Sequence, residues 1–146
     1  MTILKQQWPR AVDIIVYPGF KALEAIGPMT VFEYANTHLQ RHGQAIGYDV
    51  RVASIAVGPV QSDTLMSLNA SKAINTLALP NDAIIVGARN IQSALSGARP
   101  IVNWAAAVSG KIERLAALCS GTFFFGCCRP AGWKARNDSL ERGTSS

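Results

Sequence analysis

Hydrophobic positions come in short blocks along this chain, and the blocks alternate between two periods. Val12 to Tyr17 is a run rich in β-branched residues, ended by Pro18-Gly19, which is the pattern of a buried strand. From Ala22 to about Leu39, Leu23, Ile26, Val31, Phe32 and Ala35 recur near helical spacing. Gly27-Pro28 is expected to break or kink the first turn of that helix, and His42-Gly43 to close it. Tyr48 to Val57 alternates as a second strand, stopped by Gly58-Pro59. Val60 to Leu68 reads as a small hairpin and Ser71 to Leu77 as a short turn of helix. Ala83 to Val86 is another buried strand, introduced by Pro80-Asn81-Asp82 and left through Gly87. After a loop, Pro100 occupies a favoured first helical position, and Ile101 to Val108 forms a helix ending near Gly110. Arg114 to Leu118 is a strand that runs into Cys119-Ser120-Gly121.

Strands alternating with helices imply a mostly parallel sheet with helices on both faces. In such sheets chemistry gathers beyond the carboxyl ends of the strands. Three loops lie there: Pro18 to Glu24, Gly87 to Asn90, and Cys119 to Gly121.

Composition narrows the possibilities without adding to them. A chain of 146 residues that is 49% hydrophobic and 16% charged suits one globular domain. The net charge of +5 is spread out: residues 1–126 hold 10 Lys and Arg against 7 Asp and Glu. No basic stripe emerges, so a nucleic-acid surface is not indicated. Asp13 and Pro18 interrupt the first apolar run and no cleavage site follows it, which argues against a signal peptide. No stretch approaches the length of a membrane span, and a soluble, cytoplasmic protein is expected. Three cysteines, two of them adjacent at Cys127 and Cys128, fit neither a disulfide framework nor a zinc site. No cofactor or metal is implied.

The turn at Cys119 carries the most chemistry. Small residues directly after an apolar strand let a nucleophile project from a sharp bend, while the next residue's N–H faces a developing oxyanion. A helix starting at Gly121 would place its positive end beside the sulfur and favour the thiolate. The plain alternative is a small buried hydrophobe, as most free cysteines are.

Leu115-Ala-Ala-Leu-Cys119-Ser-Gly-Thr-Phe123 resembles the nucleophile elbow of the PfpI-like, class I glutamine-amidotransferase-like superfamily, which includes proteases, isonitrile hydratases and deglycase-like proteins. Val16-Tyr-Pro-Gly-Phe20, Leu23-Glu-Ala-Ile-Gly-Pro28 and Val31-Phe-Glu33 resemble its first strand and helix. The wording is most similar to the front domain of GlxA-type regulators of the AraC family, which carry a helix-turn-helix domain behind it. The resemblance implies a flavodoxin-like three-layer α/β sandwich, incomplete at its C-terminus, over residues 1–125. It implies that Cys119 and Glu24 form the catalytic pair, with a protonated Glu24 donating a hydrogen bond to the thiolate, and that Ser120 lends its backbone N–H to the oxyanion site. Where the superfamily has a Gly-Gly pair, this chain reads Gly87-Ala88-Arg89, so Ala88 or Arg89 would present the second N–H. The Arg89 side chain reads either as an anion contact or as a plain surface arginine.

After Phe124 the pattern collapses into Phe125-Gly-Cys-Cys-Arg-Pro130-Ala-Gly-Trp-Lys134 and a polar end. Joining the last two bases of each codon to the first base of the next can convert residues 125 onward into Leu-Ala-Ala-Ala-Gly-Leu-Leu-Asp-Gly-Lys-Arg-Ala-Thr-Thr-His-Trp, the continuation the superfamily resemblance leads one to expect. A frameshift is therefore inferred, with a non-native, disordered tail over 126–146 and the superfamily's histidine lost. The two histidines present, His38 and His42, fall at the end of the first helix, far from the strand ends. Two functions are expected. One is the ligand-sensing, dimerising part of a regulator that meets DNA only through a missing domain; the other is a stand-alone cysteine-dependent hydrolase, hydratase or deglycase. The ligand itself is not legible.

Overall fold

The computed structural model describes residues 9–125. Seven strands and three α-helices follow one another as β1 (Arg10–Ile15), α1 (Ala22–Arg41), β2 (Tyr48–Ser54), β3 (Gly58–Gln61), β4 (Ser67–Ala70), β5 (Lys72–Ala73), β6 (Asp82–Ile85), α2 (Ile91–Gly97), α3 (Arg99–Val108) and β7 (Arg114–Ala117). A 3₁₀ helix, Cys119–Phe125, ends the described part. The expected tail from Gly126, with Cys127, Cys128 and Trp133, lies outside the described residues.

Five strands form one sheet in the order β5-β2-β1-β6-β7, and every pairing in it is parallel. Its central strand is deeply buried: Val12, Ile14 and Ile15, and beyond them Val16 and Tyr17, are all at 0% exposure. Such runs are what a strand covered on both faces requires. The chain builds outward from β1 to β2 and β5 on one side, then crosses to β6 and β7 on the other. The switch point lies between β1 and β6, where an open α/β sheet leaves a crevice. Helices flank the sheet, giving the expected flavodoxin-like α/β arrangement.

Five local expectations are corrected. Gly27-Pro28 does not break α1, which runs unbroken for 20 residues with Pro28 inside. Proline costs the bond to the carbonyl four residues back, but packing on both sides of it outweighs that loss: Ala25 is buried and Met29 and Phe32 lean on the core. The inward face of α1 also differs from the apolar stripe read in the sequence. Leu23 and Val31 point outward, 82% and 66% exposed, while Asn36 is buried. Asn36 earns its place by hydrogen bonding, accepting from the N–H groups of Gly47 and Tyr48 and donating to the Tyr48 carbonyl.

The second strand stops at Ser54, and Gly58-Pro59 begins the hairpin β3–β4 instead of ending β2. Ser71 to Leu77 is not helical. Lys72 and Ala73 pair with β2, and the Asn75 side chain closes a turn by accepting from the Leu77 and Ala78 N–H groups. Within the expected loop before Pro100 lies the short helix α2, capped by Asn90, whose side chain accepts from the Ser93 N–H at 3.1 Å.

One buried charge sits in the middle of the sheet. Asp13 is 1% exposed, and its oxygens meet Arg51 Nε at 3.0 Å and Lys72 Nζ at 2.6 Å. Three strands, β1, β2 and the segment that becomes β5, thus share one ionic knot. A buried carboxylate is tolerated only when it is paired and hydrogen-bonded in this way. Replacing it leaves two cations facing each other without a counter-charge. Asp13→Ala is therefore expected to lower the unfolding free energy by about 3–5 kcal/mol, read as a lower midpoint in urea denaturation; an unchanged midpoint would show that the knot contributes nothing net.

Candidate functional site

The three loops singled out in the sequence meet at the switch point. The first runs from the end of β1 into α1. Gly19 takes a positive φ of 85°, its N–H donates to the Gln61 carbonyl, and Lys21 N–H donates to the Gly87 carbonyl at 2.9 Å. Phe20 makes single-residue bridges to Ser62 on one side and Ala88 on the other. Lys21, the residue before α1, makes no side-chain cap; the first turn is capped from the hairpin, where Asp63 Oδ1 accepts the Ala22 N–H at 3.1 Å.

The second loop follows β6. Gly87 N–H donates to Glu24 Oε2 at 2.6 Å, and Ala88 N–H donates to Ser120 Oγ at 3.1 Å while Ser120 Oγ donates back to the Ala88 carbonyl at 2.9 Å. A Cβ on Gly87 would come within 2.7 Å of Glu24 Oε2 and 2.8 Å of Ser120 Oγ, so the loop closes on both only because no side chain intervenes.

The third loop presents Cys119. Its backbone has φ 48°, the sole positive φ at a non-glycine position among the described residues, and the residue is exposed. That conformation costs an L-residue about 1–3 kcal/mol and persists only where neighbours impose it. They do so here. Leu118 N–H donates to the Ile85 carbonyl at 2.9 Å, Gly121 N–H to the Leu118 carbonyl at 2.8 Å, and the Thr122 hydroxyl to the Cys119 carbonyl at 3.1 Å. Behind the bend Phe124 is fully buried with its ring 4.8 Å from that of Tyr17. Tyr17 in turn donates its hydroxyl to the Val86 carbonyl at 2.7 Å. Burial, assisted by the nearby charge of Glu24, holds that phenol well above the usual tyrosine range, so it remains a donor.

The expected chemistry around the sulfur is rearranged. Glu24 does not donate to the thiol: its Oε2 accepts from Gly87 and its Oε1 faces Lys21 Nζ at 3.6 Å, so both oxygens serve as acceptors. The partner of the sulfur is Lys21, whose Nζ lies 3.5 Å from Cys119 Sγ. Sequence reasoning missed this lysine, although it is one of only two basic residues in the three loops. Its ammonium is held above the usual lysine range, first by the bond to Cys119. The N–H of Ala88 is taken by Ser120, which removes it as an oxyanion donor and leaves Arg89 as the candidate from that loop. The Ser120 hydroxyl has a task the sequence does not announce, that of locking the second loop to the third. The helix after the bend starts at Cys119 itself and is a 3₁₀ helix, so the expected α-helical N-terminus at Gly121 is not formed.

The Arg89 side chain is 76% exposed and stands 3.6 Å from Asp63 Oδ2. It borders a cleft of about 400 Å³ with Pro18, Gly19, Asp63, Asn90 and Ser93. Among the described residues, no group of three His, Cys, Asp or Glu side chains is placed to hold a metal ion. No helix among them is long and apolar enough to cross a membrane.

This architecture is shared with solved structures. A ThiJ/PfpI family protein from Pseudomonas syringae superposes with a TM-score of 0.62 at 16% identity, over 86% of this chain and 51% of that one. An AraC family transcriptional regulator from Pseudomonas putida gives 0.62 at 22% identity, over 82% of this chain and 71% of that one. DJ-1beta from Drosophila melanogaster gives 0.59 at 16% identity, over 82% and 60%. The fold is that of the ThiJ/PfpI proteins. The chain spans about half the length of the Pseudomonas syringae protein that shares this ThiJ/PfpI fold. In sequence it is 29% identical over 119 residues to an uncharacterised protein of the cpoL 5' region of Streptomyces lividans, covering 81% of this chain and 79% of that one. No family model matches the chain.

The crowding around the bend makes a graded test. A Cβ on Gly121 would meet the Ile85 carbonyl oxygen at 2.6 Å and the Val86 oxygen at 3.0 Å, both rigid backbone, whereas Gly87 faces side-chain ends that can swing away. Gly121→Ala is expected to destabilise by about 1–3 kcal/mol and to slow alkylation of Cys119 by displacing the bend. Gly87→Ala should cost less stability. Thermal melts and residue-resolved alkylation of the two variants check the order.

Proposed function

We propose that this chain is the ligand-sensing and dimerising front part of a transcriptional regulator of the PfpI-like superfamily, with DNA contacted only through a helix-turn-helix domain outside this chain. The observation that carries the reading is the company kept by Cys119. The cysteine is exposed on a strained bend with a lysine beside it, while the chain's two histidines stack on each other at the far end of α1, ring centroids 4.3 Å apart. Sixteen helical residues separate Ala22 from His38, about 24 Å along the axis, so no imidazole serves the sulfur. A nucleophile without an imidazole can capture or recognise a ligand, but it lacks the usual group for moving protons through a turnover. The Cys119-Ser-Gly-Thr-Phe123 wording and the fold likeness to the Pseudomonas putida regulator support the same reading.

The proposal includes a homodimer. Leu23, Val31 and Tyr34 form an outward stripe on α1, 82%, 66% and 71% exposed, larger than a solvated helix face needs. Sedimentation is expected to show a dimer that becomes a monomer in Leu23→Asp/Val31→Asp, with the melting temperature retained. A monomeric parent chain would remove dimerisation from the proposal.

The second reading, a stand-alone cysteine-dependent hydrolase, isonitrile hydratase or deglycase-like enzyme, is favoured by the left-handed backbone of Cys119, since strain of this kind collects at reacting centres. The nucleotide sequence of the locus separates the two. Read from the codons of Phe124 and Phe125 in the shifted frame, it is expected to encode a Thr-His segment and then a helix-turn-helix. A shifted frame that closes within a few codons would overturn the regulator reading and leave the enzyme.

A further inference from the structure

Beyond the choice between sensing and turnover, the geometry points to a specific role for Lys21. We propose that Lys21 is the positioning residue of the thiol centre: its ammonium pairs with Cys119 as a thiolate, in the place where an acid-base partner from elsewhere in the chain would otherwise stand.

Three side chains make the case together. Lys21 Nζ lies 3.5 Å from Cys119 Sγ and 3.6 Å from Glu24 Oε1, and Glu24 is pinned through its other oxygen to the Gly87 N–H. The lysine therefore bridges two acidic groups. Among the described residues, Lys21 is the side chain within hydrogen-bonding reach of the sulfur. Its cation favours the thiolate, which is the form that reacts. The lysine is itself held in place: its backbone N–H is bonded to the Gly87 carbonyl and its side chain is only 32% exposed.

The other polar groups of the surrounding elements do not supply this charge. From α1 comes Glu24, whose charge opposes a thiolate. From the loop after β6 comes Arg89, which faces Asp63. From the cysteine's own turn come the hydroxyls of Ser120 and Thr122, which are bonded to Ala88 and to the Cys119 carbonyl. Tyr17 is buried and donates to Val86. Lys21 is thus the cation that these elements place at the sulfur.

The chemistry is simple in its balance. The Cys119 thiol gives its proton to water or a buffer base, and Lys21, already an ammonium, stays charged beside the resulting thiolate. When the thiolate attacks an alkylating reagent such as iodoacetamide, the S–C bond forms as the C–I bond breaks and iodide leaves with its electron pair. The cation at Lys21 is unchanged.

The test uses the full chain in a Cys127→Ser/Cys128→Ser background, so that alkylation reports Cys119 alone. Initial rates with iodoacetamide are measured from pH 5 to 10 for the parent, Lys21→Met and Lys21→Arg. In Lys21→Met the rate at pH 7 is expected to fall about tenfold, equivalent to about one pH unit in the profile. Lys21→Arg should restore most of it, since arginine keeps the charge. A Lys21→Met variant that melts normally and keeps the parent's pH profile would overturn the proposal. Should that variant fail to fold, the reciprocal measurement decides. In Cys119→Ala, acetylation of Lys21 at pH 9, followed by mass spectrometry, is expected to accelerate severalfold because the ammonium loses its counter-ion. An unchanged acetylation rate would equally overturn it. Neither outcome depends on whether the domain regulates or catalyses, so a failure here is distinct from a failure of the regulator reading.

Discussion

Everything at the switch point depends on backbone being able to approach backbone without side chains in between. Gly87 and Gly121 are the two places where the loops after β6 and β7 press together: one glycine lets Glu24 and Ser120 reach into the β6 loop, and the other lets the 3₁₀ turn lie against the carbonyls of Ile85 and Val86. Once those contacts close, the bend at Cys119 has no freedom to relax out of its left-handed conformation. The cysteine bend and the packing are therefore one structure, in which local strain is sustained by contacts that each look unremarkable alone.

The parts of the fold that were legible in the sequence are those in which burial and periodicity agree. The Val12 to Tyr17 run, Asp13 apart, the Ala83 to Val86 run and the helix after Pro100 are apolar where they are buried, and the pattern puts each within a residue or two of its observed limits. Where polar atoms do the packing, the pattern misleads. Asn36 is inside because its amide satisfies the backbone at the start of β2, and Lys72 is in a strand because Asp13 holds it there. Neither pairing can be seen from residues 12 or 59 positions away in sequence. The helix Ile91–Gly97 was missed because seven residues are too few to display a period, although Asn90 in front of it is a cap signal.

The site shows the same division. The bend at Cys119 and the identity of the three loops follow from small residues placed directly after apolar runs, and those are local signals. The partner of the sulfur is a matter of tertiary geometry: Lys21, just before α1, and Glu24, in its first turn, are three residues apart, and which of them meets Cys119 depends on how the entry to α1 is set against the β6 loop. Glu24 is claimed by the Gly87 N–H, and that leaves the lysine to the thiol.

The hairpin β3–β4 stands outside the main sheet, yet it grips the segment entering α1 at three points: Gln61 accepts from Gly19, Asp63 donates its N–H to the Phe20 carbonyl, and Asp63 caps Ala22. It acts as a clasp on the stretch that delivers Lys21 and Glu24. A lineage could lengthen or reshape this hairpin without altering any residue near the sulfur, and would still move the lysine and carboxylate relative to the cysteine. The tuning of the thiol is in that sense stored in a peripheral ribbon, where sequence drifts most freely.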